Sequence, residues 1–175
     1  MPATRLSLTL ALALALISPA LLAGFDEAAA ALAAGNYAQA QAELGPLLEK
    51  SDPRAQYSMG VLYENGFGVT KDLPLAAAWY LKAADQGDID ALNNLGALYQ
   101  NGRGVAQDKV LAMALYNLSV AYAGKALVPA VGNRQDLANQ MPLEEVKKSL
   151  TLTQELFKPD NIKAGLEAYL RQQGH

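Results

Sequence analysis

Few side chains in this chain could carry covalent or metal chemistry. The one histidine is His175, the last residue, and there is no cysteine. A serine or cysteine nucleophile would therefore lack an imidazole base, and zinc would lack its usual nitrogen and sulfur ligands. Two carboxylate pairs remain, Asp88 with Asp90 and Glu144 with Glu145, and general acid–base hydrolysis uses such pairs. Each pair nevertheless falls at an expected helix start, where acids cap exposed amides and complement the helix dipole. Gly66-Phe67-Gly68 and Gly102-Arg103-Gly104 lack the Gly-Lys-Ser/Thr continuation of a phosphate loop and read as turn glycines. Trp79 is the tempting aromatic anchor, but it shares a helical stripe with Ala76, Tyr80 and Ala83, which makes it a core residue. These residues supply no catalytic group, cofactor site or metal site.

The elements that must position any functional side chain are repeated. The block from Ala55 to Asp90 returns 36 residues later as Ala91 to Ala126, with Gly60, Leu62, Tyr63, Asn65, Gly66, Gly68, Asp72, Ala76 and Tyr80 matched by Gly96, Leu98, Tyr99, Asn101, Gly102, Gly104, Asp108, Ala112 and Tyr116. A period of this size means stacked supersecondary units. Apolar residues recur at helical spacing throughout and no stretch alternates like a strand, so the chain reads as all-α.

The expected hairpins follow from caps and turns. A helix over 25–34 carries Phe25, Ala28, Ala29 and Leu32 on one side and ends at Gly35; a second, from about Tyr37 to Lys50, packs back through Tyr37, Ala40, Leu44, Leu47 and Leu48, with Pro46 weakening its last turn. Asp52, Asp72 and Asp108 sit where they can cap the helices that follow, with Pro53 and Pro74 in first turns. Gly60 and Gly96 fall mid-helix, which points to close crossing between units. Gly132 continues that register in a degraded first helix from Pro129 to about Gln140. A helix opened by Pro142, Glu144 and Glu145 should carry Val146, Leu150, Thr153 and Leu156 inward. Phe157-Lys158-Pro159-Asp160 breaks it, and a last helix presents Ile162, Leu166, Tyr169 and Leu170 as a terminal cap.

The amino-terminal residues have the layout of a secretory leader: Arg5, an apolar run from Leu6 to Ile17, then Ser18-Pro19-Ala20. Cleavage is expected after Ala20, with Ala23 the alternative, and the run is too short to span a bilayer. Removing residues 1–20 leaves 155 residues with 13 basic and 17 acidic side chains. That is enough for one core, and it offers no basic surplus for nucleic acid or anionic lipid. With no cysteine, stability must come from packing.

The residues Leu62-Tyr63-x-Asn65-Gly66-x-Gly68-Val69-x-x-Asp72 and Ala76-x-x-Trp79-Tyr80-x-Lys82-Ala83-Ala84-x-x-Gly87 resemble the Sel-one-like repeat (SLR), a branch of the tetratricopeptide-type helical repeats. The second copy, Leu95-Gly96-x-Leu98-Tyr99-x-Asn101-Gly102-x-Gly104-Val105-x-x-Asp108, matches the same signature, and Gly35-Asn36-Tyr37-Ala38-x-Ala40 is similar to a tetratricopeptide hairpin turn. Arg134-Gln135-Asp136-Leu137-Ala138-x-x-Met141 resembles the closing segment of short exported bacterial members. Leu115 stands where the first copy has tryptophan, and Leu118-Ser119-Val120 replaces the usual lysine-alanine-alanine ending.

The resemblance implies a short right-handed α-solenoid: a leader over 1–20, a tetratricopeptide-like hairpin over 24–52, SLR units over 53–90 and 91–126, and a degenerate repeat with capping helices over 127–175. In such hairpins the first helix of each unit lines an inner groove. That places Arg54, Tyr57, Val61 and Glu64, then Asp90, Asn93, Ala97 and Gln100, toward a partner, at positions where the two copies differ. The implied function is a non-catalytic periplasmic or secreted adaptor of the bacterial envelope that holds a protein or peptide, as a monomer, without nucleic acid, membrane insertion or cofactor. An envelope hydrolase acting on cell-wall or antibiotic substrates and a regulatory spacer for a sensor kinase are the rival readings.

Overall fold

The computed structural model describes residues 24–126, 128–157 and 162–174. The expected leader, the Lys158-Pro159-Asp160 break and His175 lie outside the described residues. Among the described residues there are nine helices and no strand: α1 (Phe25–Ala33), α2 (Tyr37–Glu49), α3 (Pro53–Asn65), α4 (Leu73–Asp85), α5 (Ile89–Asn101), α6 (Lys109–Ala123), α7 (Pro129–Ala138), α8 (Leu143–Leu156) and α9 (Ile162–Gln173). They fall into two compact units that divide after Ser51.

In the first unit α1 and α2 pack as a hairpin. Ala28, Ala31, Ala40, Leu44 and Leu47 are its buried residues. Gly35 turns the chain with φ of 71°, a left-handed conformation that glycine adopts at little cost. Pro46 stays inside α2, which continues to Glu49.

The second unit is a stack of hairpins. Asp52, Asp72, Asp88 and Asp108 each accept a backbone amide of the following helix's first turn, the role expected of short acids there. The turns repeat as well: the Asp72 amide donates to the Tyr63 carbonyl and the Asp108 amide to the Tyr99 carbonyl, both at 2.9 Å. Helices α3 and α4 pack together, as do α5 and α6, while α4 on α5 and α6 on α7 join successive units.

The mid-helix glycines contact something other than the sequence implied. A Cβ on Gly60 would lie 2.4 Å from the Tyr80 ring, and one on Gly96 would lie 2.8 Å from the Tyr116 ring. The close crossing is thus within each hairpin, not between units. Approach between units uses Gly104, whose φ is +74° and whose missing Cβ leaves room for Leu73, at 2.5 Å.

The third hairpin lacks this lock. Gly132 has no neighbour within 4 Å of its Cβ position, and the residue 36 beyond Tyr116 is Leu152. Helix α8 packs chiefly on α6, and α7 and α8 stand apart around a groove of about 210 Å³ whose lining includes Met113, Ala138, Val146 and Leu150. The expected inward stripe of α8 is also rotated. Ser149, Leu152 and Leu156 are buried, whereas Leu150 is 51% exposed, because α8 meets α6 without α7 beside it.

The cap is asymmetric. Helix α9 turns back along the outer side, touching α4 and α8. Asp85 accepts the Lys163 amide at 2.8 Å, Ile162 and Leu166 are buried, and Tyr169 lies beside the Asp108 carboxylate.

Gly60→Ala and Gly132→Ala should move stability in opposite directions. Alanine gains roughly 0.5–1 kcal/mol over glycine in an open helix, which Gly132→Ala realises. At Gly60 the clash with Tyr80 overrides that gain and leaves a net loss of about 2 kcal/mol. Urea denaturation midpoints of the two variants check both signs.

Candidate functional site

The side chains expected to line the groove belong to α3 and α5, and these first helices are neighbours, as are α5 and α7. Glu64 and Asn93 are joined in one chain of polar groups. Arg103 Nη1 donates to Glu64 Oε1 at 3.1 Å, and the Tyr80 hydroxyl donates to Glu64 Oε2 at 2.7 Å. Asn94 Nδ2 donates to the Tyr80 hydroxyl, Asn93 Nδ2 to Asn94 Oδ1, each at 3.3 Å, and Asn133 Nδ2 to Asn93 Oδ1 at 2.8 Å. Six residues thereby link three successive hairpins.

Tyr57 lies half-buried beside this chain, its ring 5.8 Å from that of Tyr80. Asn94 lies beside its hydroxyl. Arg54 is exposed and grips Asp52 through two contacts, Nη2 to Oδ2 at 2.7 Å and Nε to Oδ1 at 3.1 Å. Asp90 is exposed in the first turn of α5. Val61 and Ala97 are half-buried, and each carbonyl accepts the side-chain amide of the asparagine four residues on, Asn65 or Asn101. Gln100 accepts the Tyr116 hydroxyl at 2.7 Å, which mirrors Tyr80 on Glu64. Structure thus brings Tyr57, Glu64 and Asn93 into one network through Tyr80 and Asn94, while Gln100 sits in the parallel bond of the next hairpin.

Three members of the chain escape the sequence reading. Asn94 occupies the register of Ser58, and Asn133 that of Ala97, each 36 residues on. Arg103 stands in the turn where the first copy has Phe67. The signal was available as disagreement between copies, but for Asn133 it lay in a repeat too eroded to align beyond Gly132.

Burial governs the electrostatics. It drives Tyr80 far above the ordinary tyrosine range, assisted by the hydrogen bond to Glu64, and pushes Tyr116 up to about 12. Tyr57 is raised by burial and by the charges of Asp90 and Asp88. Burial also raises Asp88, against the opposing effect of its capping bond to Ala91. Asp52 is held low by Arg54.

One acid of each carboxylate pair has a structural partner. Asp88 caps α5 through the Ala91 amide at 2.8 Å, and Glu144 is ion-paired to Lys147 at 2.9 Å on the exposed side of α8. Among the described residues no group of three or more histidine, cysteine or acidic side chains is arranged to hold a metal ion. Trp79 is half-buried, with Lys82 Nζ 4.0 Å from its ring centroid. No helix of the described residues is long and apolar enough to cross a membrane.

Two Sel1 repeats are recognised in the chain, over residues 53–88 and 89–121, and Sel1 repeats generally serve as non-catalytic scaffolds for protein–protein interaction. The fold is similar to that of a Sel1 repeat protein from Oxalobacter formigenes, with 33% identity and a TM-score of 0.58 over 65% of this chain and 45% of that one. It is also similar to a protective antigen present in uropathogenic Escherichia coli strains and displaying an SLR fold, with 27% identity and a TM-score of 0.60 over 78% of this chain and 28% of that one. The chain therefore spans less than half the length of either structure. No curated protein matches the sequence.

The buried tyrosines give stability a pH limit. A phenol whose folded pKa exceeds its unfolded value of about 10 keeps its proton longer when folded, so its contribution is complete below pH 10 and is lost as pH rises through the folded value. For Tyr116 that window runs from about 10 to about 12. Denaturation midpoints should fall between pH 9 and pH 11 in the wild type and fall less in Tyr116→Phe.

Proposed function

We propose that the repeats form a non-catalytic protein-interaction module of the bacterial cell envelope, acting in the periplasm or outside the cell, and that a peptide or protein edge binds along the first-helix face of α3, α5 and α7. The observation that carries this reading is the polar chain from Arg103 to Asn133. It fixes asparagine amides in place while using only part of their capacity: among the described residues Asn93 Nδ2 donates one hydrogen bond of the two it can make, and Asn133 takes part through Nδ2, leaving Oδ1 outside the chain of bonds. Those groups match the donor and acceptor of a peptide backbone.

Tyr57 supplies the apolar contact, since an aromatic held against a second ring loses little freedom on binding. Arg54 and Asp90 flank it as exposed charges that bias which side chains the partner presents. Localisation outside the cytoplasm rests on the leader-like residues 1–20.

Replacing Tyr57 and Asn93 together by alanine should lower partner recovery from envelope extract at least tenfold, the loss expected when a hot-spot contact is truncated. Circular dichroism must show the helices intact. Undiminished recovery of every partner would remove the first-helix face from consideration.

A further inference from the structure

The two SLR units differ in charge where their first helices begin. In the first unit Asp52 caps α3 through the Arg54 amide, and the Arg54 guanidinium grips the same carboxylate through Nη2 at 2.7 Å and Nε at 3.1 Å. At the same register 36 residues on, Asp88 keeps the cap and Asp90 stands in place of the arginine. The second unit therefore has two carboxylates where the first has an ion pair. Among the described residues no lysine or arginine pairs with either of them.

The surroundings leave this corner negative. Asp88 is half-buried, and its carboxyl is raised by burial first and then, against two backbone hydrogen bonds, by the charges of Asp90 and Asp52. The amino end of α5 carries roughly half a positive charge, less than one of the two carboxylates. Elsewhere on the face charges cancel, since Glu64 is paired with Arg103 at 3.1 Å. Tyr57 stands next to the corner: the charges of Asp90, Asp88 and Glu64 reach its hydroxyl. Its ring is half-buried, with one side toward the Tyr80 ring at 5.8 Å.

We propose that the partner presents a basic side chain, arginine or lysine, whose aliphatic stem lies along Tyr57 and whose cationic head meets Asp90 and Asp88, a choice of partner that rests on the first-helix face being the binding surface. The first unit shows the same site with its cation in place, supplied by Arg54 of this chain; in the second unit the cation comes from the partner. A long basic side chain suits both halves of the site, because its stem packs on apolar surface while its head stays hydrated or paired. The amides of Asn93 and Asn133 can meet the backbone of any extended peptide. The acidic corner then decides among sequences, favouring basic segments and repelling acidic ones.

Selection of a random peptide library displayed on phage against the purified protein should return sequences in which arginine and lysine outnumber aspartate and glutamate several-fold. Affinity of synthetic copies of those peptides should fall about fivefold in Asp90→Asn, the loss of one exposed charge contact. Asp90→Arg rebuilds the internal pair of the first unit, so it should abolish their binding while melting no lower than the wild type. Glu167→Gln, an equal change of charge at an exposed position on α9, should bind as the wild type does. Peptides that need Tyr57 and Asn93 yet carry no excess of basic residues, or that survive Asp90→Arg, would overturn the cationic assignment and leave the face standing. Peptides indifferent to the joint Tyr57→Ala and Asn93→Ala change, or no selected peptide at all, would remove the face and the assignment together.

Discussion

The stack depends on one contact, the ring of a second-helix tyrosine laid against a first-helix glycine. Without a Cβ at Gly60 the axis of α3 comes close enough for Tyr80 to press its ring onto backbone, and the hydroxyl then reaches Glu64 one turn further along. Gly96, Tyr116 and Gln100 repeat the arrangement. Glycine is unfavourable inside a helix by about 1 kcal/mol, and the buried ring with its satisfied hydroxyl offsets that several times over. One contact therefore fixes the hairpin angle, fills its centre and positions a polar group at the groove. The consequence for function is rigidity: a face whose amides are already oriented loses less entropy when it binds.

Where the lock is missing, the architecture changes in the way its absence requires. At the third hairpin the glycine persists as Gly132, but Leu152 stands at the tyrosine register, and leucine has neither the reach nor the hydroxyl. Leu152 and Leu156 bury against α6 instead, and α8 turns with them. The seam through Leu143, Leu150 and Phe157 stays outside as a direct result. Helix α9 compensates by returning to α4, tying the last element to the first SLR unit through the Lys163 amide and Asp85. An array of two full repeats is close to the lower limit for a stable solenoid, and such a return strap adds nonlocal contacts that a simple stack lacks.

Much of this was legible in the residues. The four aspartates that precede helices, the left-handed glycines of the turns and the small residues 36 apart each encode local geometry, and local geometry follows from residue type. What could not be read were partners distant in sequence. Gly60 announced a close contact but not that Tyr80 made it, because glycine records only the need for space. The return of α9 joins residues 78 positions apart, and neither Asp85 nor Lys163 carries a local sign of it. On the candidate site, Tyr57 and Asn93 were visible as differences between copies, whereas Asn133 lay in a repeat whose period had eroded. The rotation of α8 was hidden too: its helical spacing predicted a stripe through Val146, Leu150, Thr153 and Leu156, and spacing alone does not say that α7 would stand away from Leu150.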